Sequence, residues 1–373
     1  MILVKSYSNL FEQLISDENI RLAIRKAAKN KRKNNRRHKR LRYIRDHIEQ
    51  YVPIVRGWIL EFKPSWHHPT VIADSASGKT RTITVPSVRE MIVHHAVANV
   101  LIPIVSKGMY EHSYASIPGK GLHSGMKVVR KWIYNHHQDT KYCLKIDIRK
   151  FFDSVDQNIL LETLRKHIRD DRYFEYLRKI IRTTRTGIPL GFVTSHWFAN
   201  FVLTKLDHKI KEEYGVRYYI RFMDDMVLFG SSKRELHVIR KMISDYLEAE
   251  LHLQLKGNWQ VFFMHSTRSR KKNGRFLDFL GFKFYRNHVG IRRRVALKAQ
   301  RKAKRIFKKG RPTVHDARQM VVHAGLIKYA DCRRWFKDHI AKYVSIKRMR
   351  HIISAHDRYH SKGGIQHGSL VCC

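Results

Sequence analysis

Residues 218–230 read YYIRFMDDMVLFG: two adjacent carboxylates inside an otherwise apolar and aromatic run. The residues on either side of Asp224 and Asp225 favour strands, so the stretch predicts a hairpin with both aspartates exposed at its tip. An isolated Asp-Asp pair forms a polar turn as readily as a site. This pair is not isolated. KIDIRKFFDSV, residues 145–155, places Asp147 at the end of another alternating strand, 141–148. Neighbouring strands of one sheet would bring Asp147 and Asp224 within metal-bridging distance.

Three hard oxygen donors with no His or Cys beside them favour Mg²⁺ over Zn²⁺. Two Mg²⁺ ions about 3.5–4 Å apart activate an attacking hydroxyl and stabilise a leaving pyrophosphate. The charge of the chain suits such a substrate. Its 373 residues carry 75 Lys and Arg against 31 Asp and Glu, a formal net charge of +44, and the excess points to a polyanion. Two segments concentrate it: residues 25–45 hold 12 Lys/Arg in 21 positions, and residues 292–311 hold 11 in 20. Both read as helices, since they lack interior Pro and Gly, and basic helices suit the regular spacing of nucleic-acid phosphates. Neither has the wide apolar face of a membrane-surface helix.

With 43% hydrophobic residues the chain buries a sizeable core. Cys143, Cys332, Cys372 and Cys373 show neither metal spacing nor a disulfide framework, which suits a reducing cytoplasm. The terminal Cys-Cys pair is a weak lipidation signal. No secretory signal is read at the start, and no apolar stretch reaches about 18 residues, so no membrane span is expected.

Around the carboxylates the pattern alternates. Residues 8–50 read as helix, basic stretch, helix, with Ser16 or Asp17 as a cap. Residues 71–90 form a β-rich piece turning at SASGK, and a helix follows at 88–105, ending near Pro103. The run 157–182 reads as one helix, GIPLG at 187–191 as a break, 193–214 and 233–250 as helices, and FLGFKF at 279–284 as strand, before a basic helical tail. The fold class is α+β with an α-helical end.

The segments KIDIRKFFDSVDQNIL, GIPLGFVTSHWFANFVLTKLDHKI, YIRFMDDMVLFG and DFLGFKF stand in the order and spacing of reverse transcriptase palm motifs, and the chain resembles that family over about residues 75–290. RTITVPSVREMIVHHAV resembles its fingers segment, and NLFEQLISDENIRLAIRKAAKNKRK the leading helices of prokaryotic and phage enzymes of this type. The resemblance implies a right-hand polymerase fold: an N-terminal basic helical extension at 1–70, fingers and palm at 71–290, and a basic helical thumb and tail at 291–373. It implies RNA-directed DNA synthesis with two Mg²⁺ ions. By the same resemblance Asp147 and Asp224 are the principal metal ligands, Asp225 the third acid and the Ile148 carbonyl an extra ligand. Phe152 matches the steric gate against the ribose 2′-hydroxyl, with core packing beside Phe151 as the alternative. Lys79 and Arg81 match residues that hold the triphosphate, Arg89 a template contact, and Lys256 the lysine that protonates the leaving pyrophosphate; a solvated basic turn is the alternative for the first three.

One departure is informative. Most relatives carry P-Q-G followed by S-P where this chain has Pro189-Leu190-Gly191 and Ser195-His196. The aliphatic Leu190 before Gly191 matches diversity-generating retroelement enzymes, whose copying of template adenines is error-prone, although His196 stands where they carry Gln. The implied partners are an RNA template, a primer or cDNA, deoxynucleotides, a small basic accessory protein and a structured RNA, in the cytoplasm of a bacterial or phage-infected cell, with no membrane. The alternatives are a retron-like or phage-defence reverse transcriptase, or an inactive RNA-binding protein on a polymerase scaffold. The three intact acids argue against the last.

Overall fold

The computed structural model describes residues 7–29, 35–64, 69–73, 80–264 and 274–366. Contacts group the chain into two compact units, residues 1–121 with 142–261 and residues 122–141 with 262–373.

In the first unit, four helices precede the sheet: Leu10–Ile15, Asp17–Ala28, Arg36–Asp46 and Ile48–Leu60. The second shows why this basic sequence folds. Ser16 accepts from the Asn19 backbone N–H, Asp17 and Glu18 stand in the first turn, and Arg25 and Lys26 in the last, all matched to the helix dipole. Ile20, Ala23, Ile24 and Ala27 recur at helical spacing and are buried. The basic run then restarts as a separate helix, where the Asn35 side chain caps His38 and only Leu41 and Ile44 are buried. Its charged residues cover solvent-facing surface.

These helices pack on Val88–Val105, which opens with a capping box between Ser87 and Glu90. That helix corrects one expectation: it is long and apolar enough to cross a membrane by length and composition. It is a core helix of this unit, with Ile92, Val93, Ala96, Val97 and Leu101 at 0% exposure. Pro103 sits within its last turn and does not end it.

Strands β1 (Pro69–Ala73) and β2 (Thr80–Thr84) form an antiparallel pair; the SASGK turn between them lies outside the described residues. The central sheet of this unit orders β4 (Tyr218–Phe222), β5 (Asp225–Gly230) and β3 (Tyr142–Asp147), with antiparallel neighbours. Helices cover it. The expected single helix over 157–182 is two, Gln157–Arg165 and Asp171–Ile181. Asp170 makes the break, accepting from Tyr173 N at 3.0 Å and from Phe11 N at 2.8 Å, beside a parallel bridge between Tyr7 and Ile168. The apolar period continues across this cap, which is why the sequence read as unbroken.

The second unit has a three-stranded antiparallel sheet, Leu277–Phe279, Phe282–Phe284 and Val289–Ile291. FLGFKF is therefore a hairpin, turning where Leu280 and Gly281 take positive φ of 53° and 85°. The basic segment 292–311 is the helix Arg293–Lys309. It buries Ala299, Ala303 and Ile306 in a core with Ala317, Met320, Ile327 and Ile340. Asp316 caps the next helix through Thr313 and pairs with Lys302 at 2.7 Å, which holds its carboxyl well below the usual range.

Candidate active site

β3 and β5 pair in a register that sets Asp147 directly opposite Asp225. Phe222 faces Asp225 across β4 and β5, so the hairpin turns on two residues, Met223 and Asp224. Such a tight turn needs positive φ, and Met223 supplies it at 60°, a conformation that disfavours a side chain by about 1–2 kcal/mol.

A buried network holds that strain. Arg221 is fully buried, and its guanidinium donates to the Met223 carbonyl at 3.2 Å and to Asn200 Oδ1 at 3.0 Å. Its ion pair with Asp207, at 2.5 Å between residues that are both 0% exposed, anchors the other edge. Tyr219 donates to the same Asp207 at 2.6 Å, and Tyr110 to the Tyr219 carbonyl at 2.8 Å. Every arm of the buried charge is paired, as burial requires. Sequence reasoning missed Arg221 and Asp207; the only signal was a lone Arg inside an apolar strand.

The carboxylates themselves are half-buried, not exposed at a tip as the sequence suggested. Burial, and then the neighbouring Asp147 charge, raise the Asp224 carboxyl to about 6. Burial raises Asp225 to about 7, against the pull of Lys145, whose ammonium lies 3.4 Å from Asp225 Oδ2. Asp225 Oδ1 is buried and has no hydrogen-bond partner among the described residues. Lys256 ion-pairs with Asp147, and its backbone N–H donates to the Asp147 carbonyl at 2.8 Å. Ile148 is buried, and its N–H donates to the Asp224 carbonyl at 3.3 Å. Crowded, desolvated acids with an orphaned oxygen are a donor set short of positive charge, and hard oxygens suit Mg²⁺. Among the described residues no group of three His, Cys, Asp or Glu is arranged as a ready metal shell.

The other residues singled out in the sequence fall around this cluster or away from it. GIPLG docks as a loop: Ile188 N donates to the Phe152 carbonyl at 2.8 Å, and Thr84 N on β2 donates to the Leu190 carbonyl at 2.7 Å. Leu190 is half-buried, as is Phe152, which packs against both Phe151 and His196. Arg81 lies on β2 opposite Ile72; Lys79 lies outside the described residues. Arg89 is occupied structurally, donating to the Trp58 and Glu61 carbonyls at 3.3 and 2.8 Å, which satisfies the C-terminal end of Ile48–Leu60.

Gly191 has φ 132°, and a Cβ there would stand 2.0 Å from the Thr84 carbonyl oxygen. Backbone on both sides cannot yield, so Gly191→Ala is expected to lose about 1–3 kcal/mol of stability in urea unfolding. Gly57→Ala is the control. Gly57 lies inside a helix where a Cβ meets nothing within 4 Å among the described residues, and alanine there should add about 0.5–1 kcal/mol. Equal midpoints for the two variants would refute the docking of the loop on β2.

The family model described as reverse transcriptase (RNA-dependent DNA polymerase) matches residues 67–284, more than half of the chain. Protein YkfC of Escherichia coli K12 is 25% identical over 279 residues, covering 63% of this chain and 71% of YkfC. The retron Ec73 reverse transcriptase of Escherichia coli is 25% identical over 186 residues, covering 45% of this chain and 56% of that protein. Among solved structures, apo telomerase from Candida tropicalis, truncated of its C-terminal domain, aligns with a TM-score of 0.44 at 15% identity, over 61% of this chain and 55% of that one. The chain thus spans little more than half the length of the latter two.

Proposed function

The chain belongs to the reverse transcriptase (RNA-dependent DNA polymerase) family, and from that membership we propose that it copies an RNA template into DNA at the Asp147, Asp224 and Asp225 cluster. The observation that carries this reading is the β3–β5 register, which gathers the three acids at one end of the sheet. Asp147 and Asp224 would hold two Mg²⁺ ions, with Asp225 and the Ile148 carbonyl beside them. Bound there, the ions supply Lewis-acid activation of the primer hydroxyl and charge stabilisation of the pyrophosphate.

The chain's own groups do the rest. Lys256, already on Asp147, is placed to exchange that contact for the leaving pyrophosphate and give it a proton. Lys79 and Arg81 hold the triphosphate, Arg89 the template strand, and Phe152 stands under the sugar at C2′. Leu190 and Gly191 lie along the incoming nucleotide. In functional terms residues 1–70 extend the fingers and palm of 71–290, and residues 291–373 form the thumb and tail, whose basic helix meets the phosphates of the RNA and the primer. The test is extension of an annealed primer on a defined RNA with deoxynucleotides and Mg²⁺. Absence of cDNA from the folded protein, alone and with cell extract, would overturn the reading.

The finer assignment is to the diversity-generating type, with a small basic accessory protein and a structured RNA as partners. It rests on Leu190, which offers contact where glutamine would offer a hydrogen bond to brace the nucleotide. Leu190→Gln is expected to lower misincorporation several-fold, chiefly at template adenine, the scale of one hydrogen bond of about 0.5–1.5 kcal/mol. The measurement is cDNA sequencing scored by template base. A low and even error spectrum in the parent would remove this assignment and favour a retron-like or phage-defence enzyme.

A further inference from the structure

Phe152 has little freedom in its backbone. It follows Lys150, which takes φ 44°, in the short helix Phe151–Ser154 directly after β3. Its carbonyl accepts from Ile188 N at 2.8 Å, and the loop approaches so closely that a Cβ on Gly187 would stand 2.4 Å from that same oxygen. What is left to set is the side chain. Among the described residues two rings pack on it: Phe151, buried, at 5.7 Å and 64°, and His196, at 5.6 Å and 81°.

The His196 contact is edge to face, an arrangement worth about 0.5–1.5 kcal/mol beyond area burial. His196 projects from Val193–Val202, the helix that follows GIPLG, so one short segment holds both the Phe152 carbonyl and the Phe152 ring. Burial lowers the His196 pKa, which keeps the imidazole neutral and compatible with an apolar neighbour. Its Nδ1 is buried with no hydrogen-bond partner among the described residues, so no polar contact is seen to tie that nitrogen to another part of the protein. The ring contact is thus an interaction the fold visibly gives this side chain.

We infer that His196 is a positioning residue for Phe152: its ring is the wall that holds the Phe152 ring in place, and selection of deoxynucleotide over ribonucleotide in this chain depends on that wall. The inference rests on the reading of Phe152 as the sugar gate. A flat, rigid ring at position 196 restricts Phe152 to one rotamer, whereas a small or flexible side chain lets it swing away from the sugar.

The experiment is single-nucleotide insertion by the full chain on a primed RNA template, with kcat and KM measured separately for a deoxynucleotide and the matching ribonucleotide. His196→Ala is expected to raise the relative efficiency for the ribonucleotide about tenfold, chiefly through a lower ribonucleotide KM. His196→Phe, which restores a ring without the nitrogens, should return the ratio to within about threefold of the parent. If His196→Ala does not yield folded protein, His196→Leu fills the volume without a flat face and carries the same expectation. An unchanged ratio in the folded Ala or Leu variant overturns the inference, as does an equal change in the Phe variant, which would point to the nitrogens instead of the ring. Phe152→Val separates this from the underlying reading. If it leaves sugar selection unchanged, the gate itself is absent and both fall; if it relaxes selection while the His196 variants do not, only the role of His196 falls. In Phe152→Val/His196→Ala the second change should add nothing, because it acts through a ring already removed.

Discussion

Asp224→Asn should reduce primer extension on RNA by about 10³-fold or more, a loss of about 4 kcal/mol of transition-state stabilisation, while leaving RNA binding in place. The amide keeps the shape of the turn but withdraws the negative charge that a divalent cation requires. The metal-free fold should not suffer. Asp224 has its pKa raised in the folded chain to about 6 from an ordinary 3.8. Between these values the folded state keeps a proton that the unfolded state has released, so this carboxyl subtracts stability as pH rises from about 4 to about 6. Asparagine cannot ionise and avoids that penalty. The variant should therefore match or exceed the parent in urea unfolding at pH 8 without divalent ions, by about 1–3 kcal/mol, and the gain should vanish near pH 4. Extension at close to the parental rate would remove Asp224 from the metal site.

The second large effect lies beneath the turn. Asp207→Ala leaves the Arg221 guanidinium buried at 0% exposure without its carboxylate, and truncating one partner of a buried pair loses about 3–5 kcal/mol. The urea midpoint should fall accordingly, and extension with it, because Arg221 is the donor that holds the Met223 carbonyl. Replacing both partners by apolar side chains, Asp207→Leu with Arg221→Met, should recover part of the stability, the shortfall being the Tyr219 hydroxyl and the Asn200 amide oxygen that lose their buried partners. It should not recover extension, since Met223 then keeps its positive φ without the Arg221 donor on its carbonyl. Recovery of both together would show that the network supports the fold only and does not aim Asp224.

Comparison of these two effects shows where information lay along the chain. Asp147, Asp224 and Asp225 were legible because each sits at the end of a run with strand periodicity, and two strands that end in acids can share a sheet. Ser16 as a helix cap was legible for the same local reason: an N-cap is an interaction between neighbours in sequence. Leu190 and His196 stood out only against a family pattern.

Other features depend on partners distant in sequence. The helix break at Asp170 joins a local cap on Tyr173 N to a bond from the Phe11 backbone N–H, 159 residues away, and the apolar period of 157–182 runs across it. Arg89 stood out by its match to a template contact of the family, and no local pattern encodes the carbonyls that its guanidinium also reaches, at the end of a helix 28 and 31 residues earlier. Gly191 read as part of a break; the Thr84 carbonyl lying against it makes any side chain there costly.

Local pattern, then, was enough for the strands that end in acids, the cap at Ser16 and the excess of positive charge, since periodicity, capping and composition act between residues close in the chain. Only the folded protein assigned Arg221 to Asp207, docked GIPLG on β2, set His196 against Phe152 and half-buried the carboxylates. Desolvation, ion pairing and steric exclusion depend on which groups meet in space, and a residue's type does not reveal the burial that makes its charge costly or its missing side chain essential.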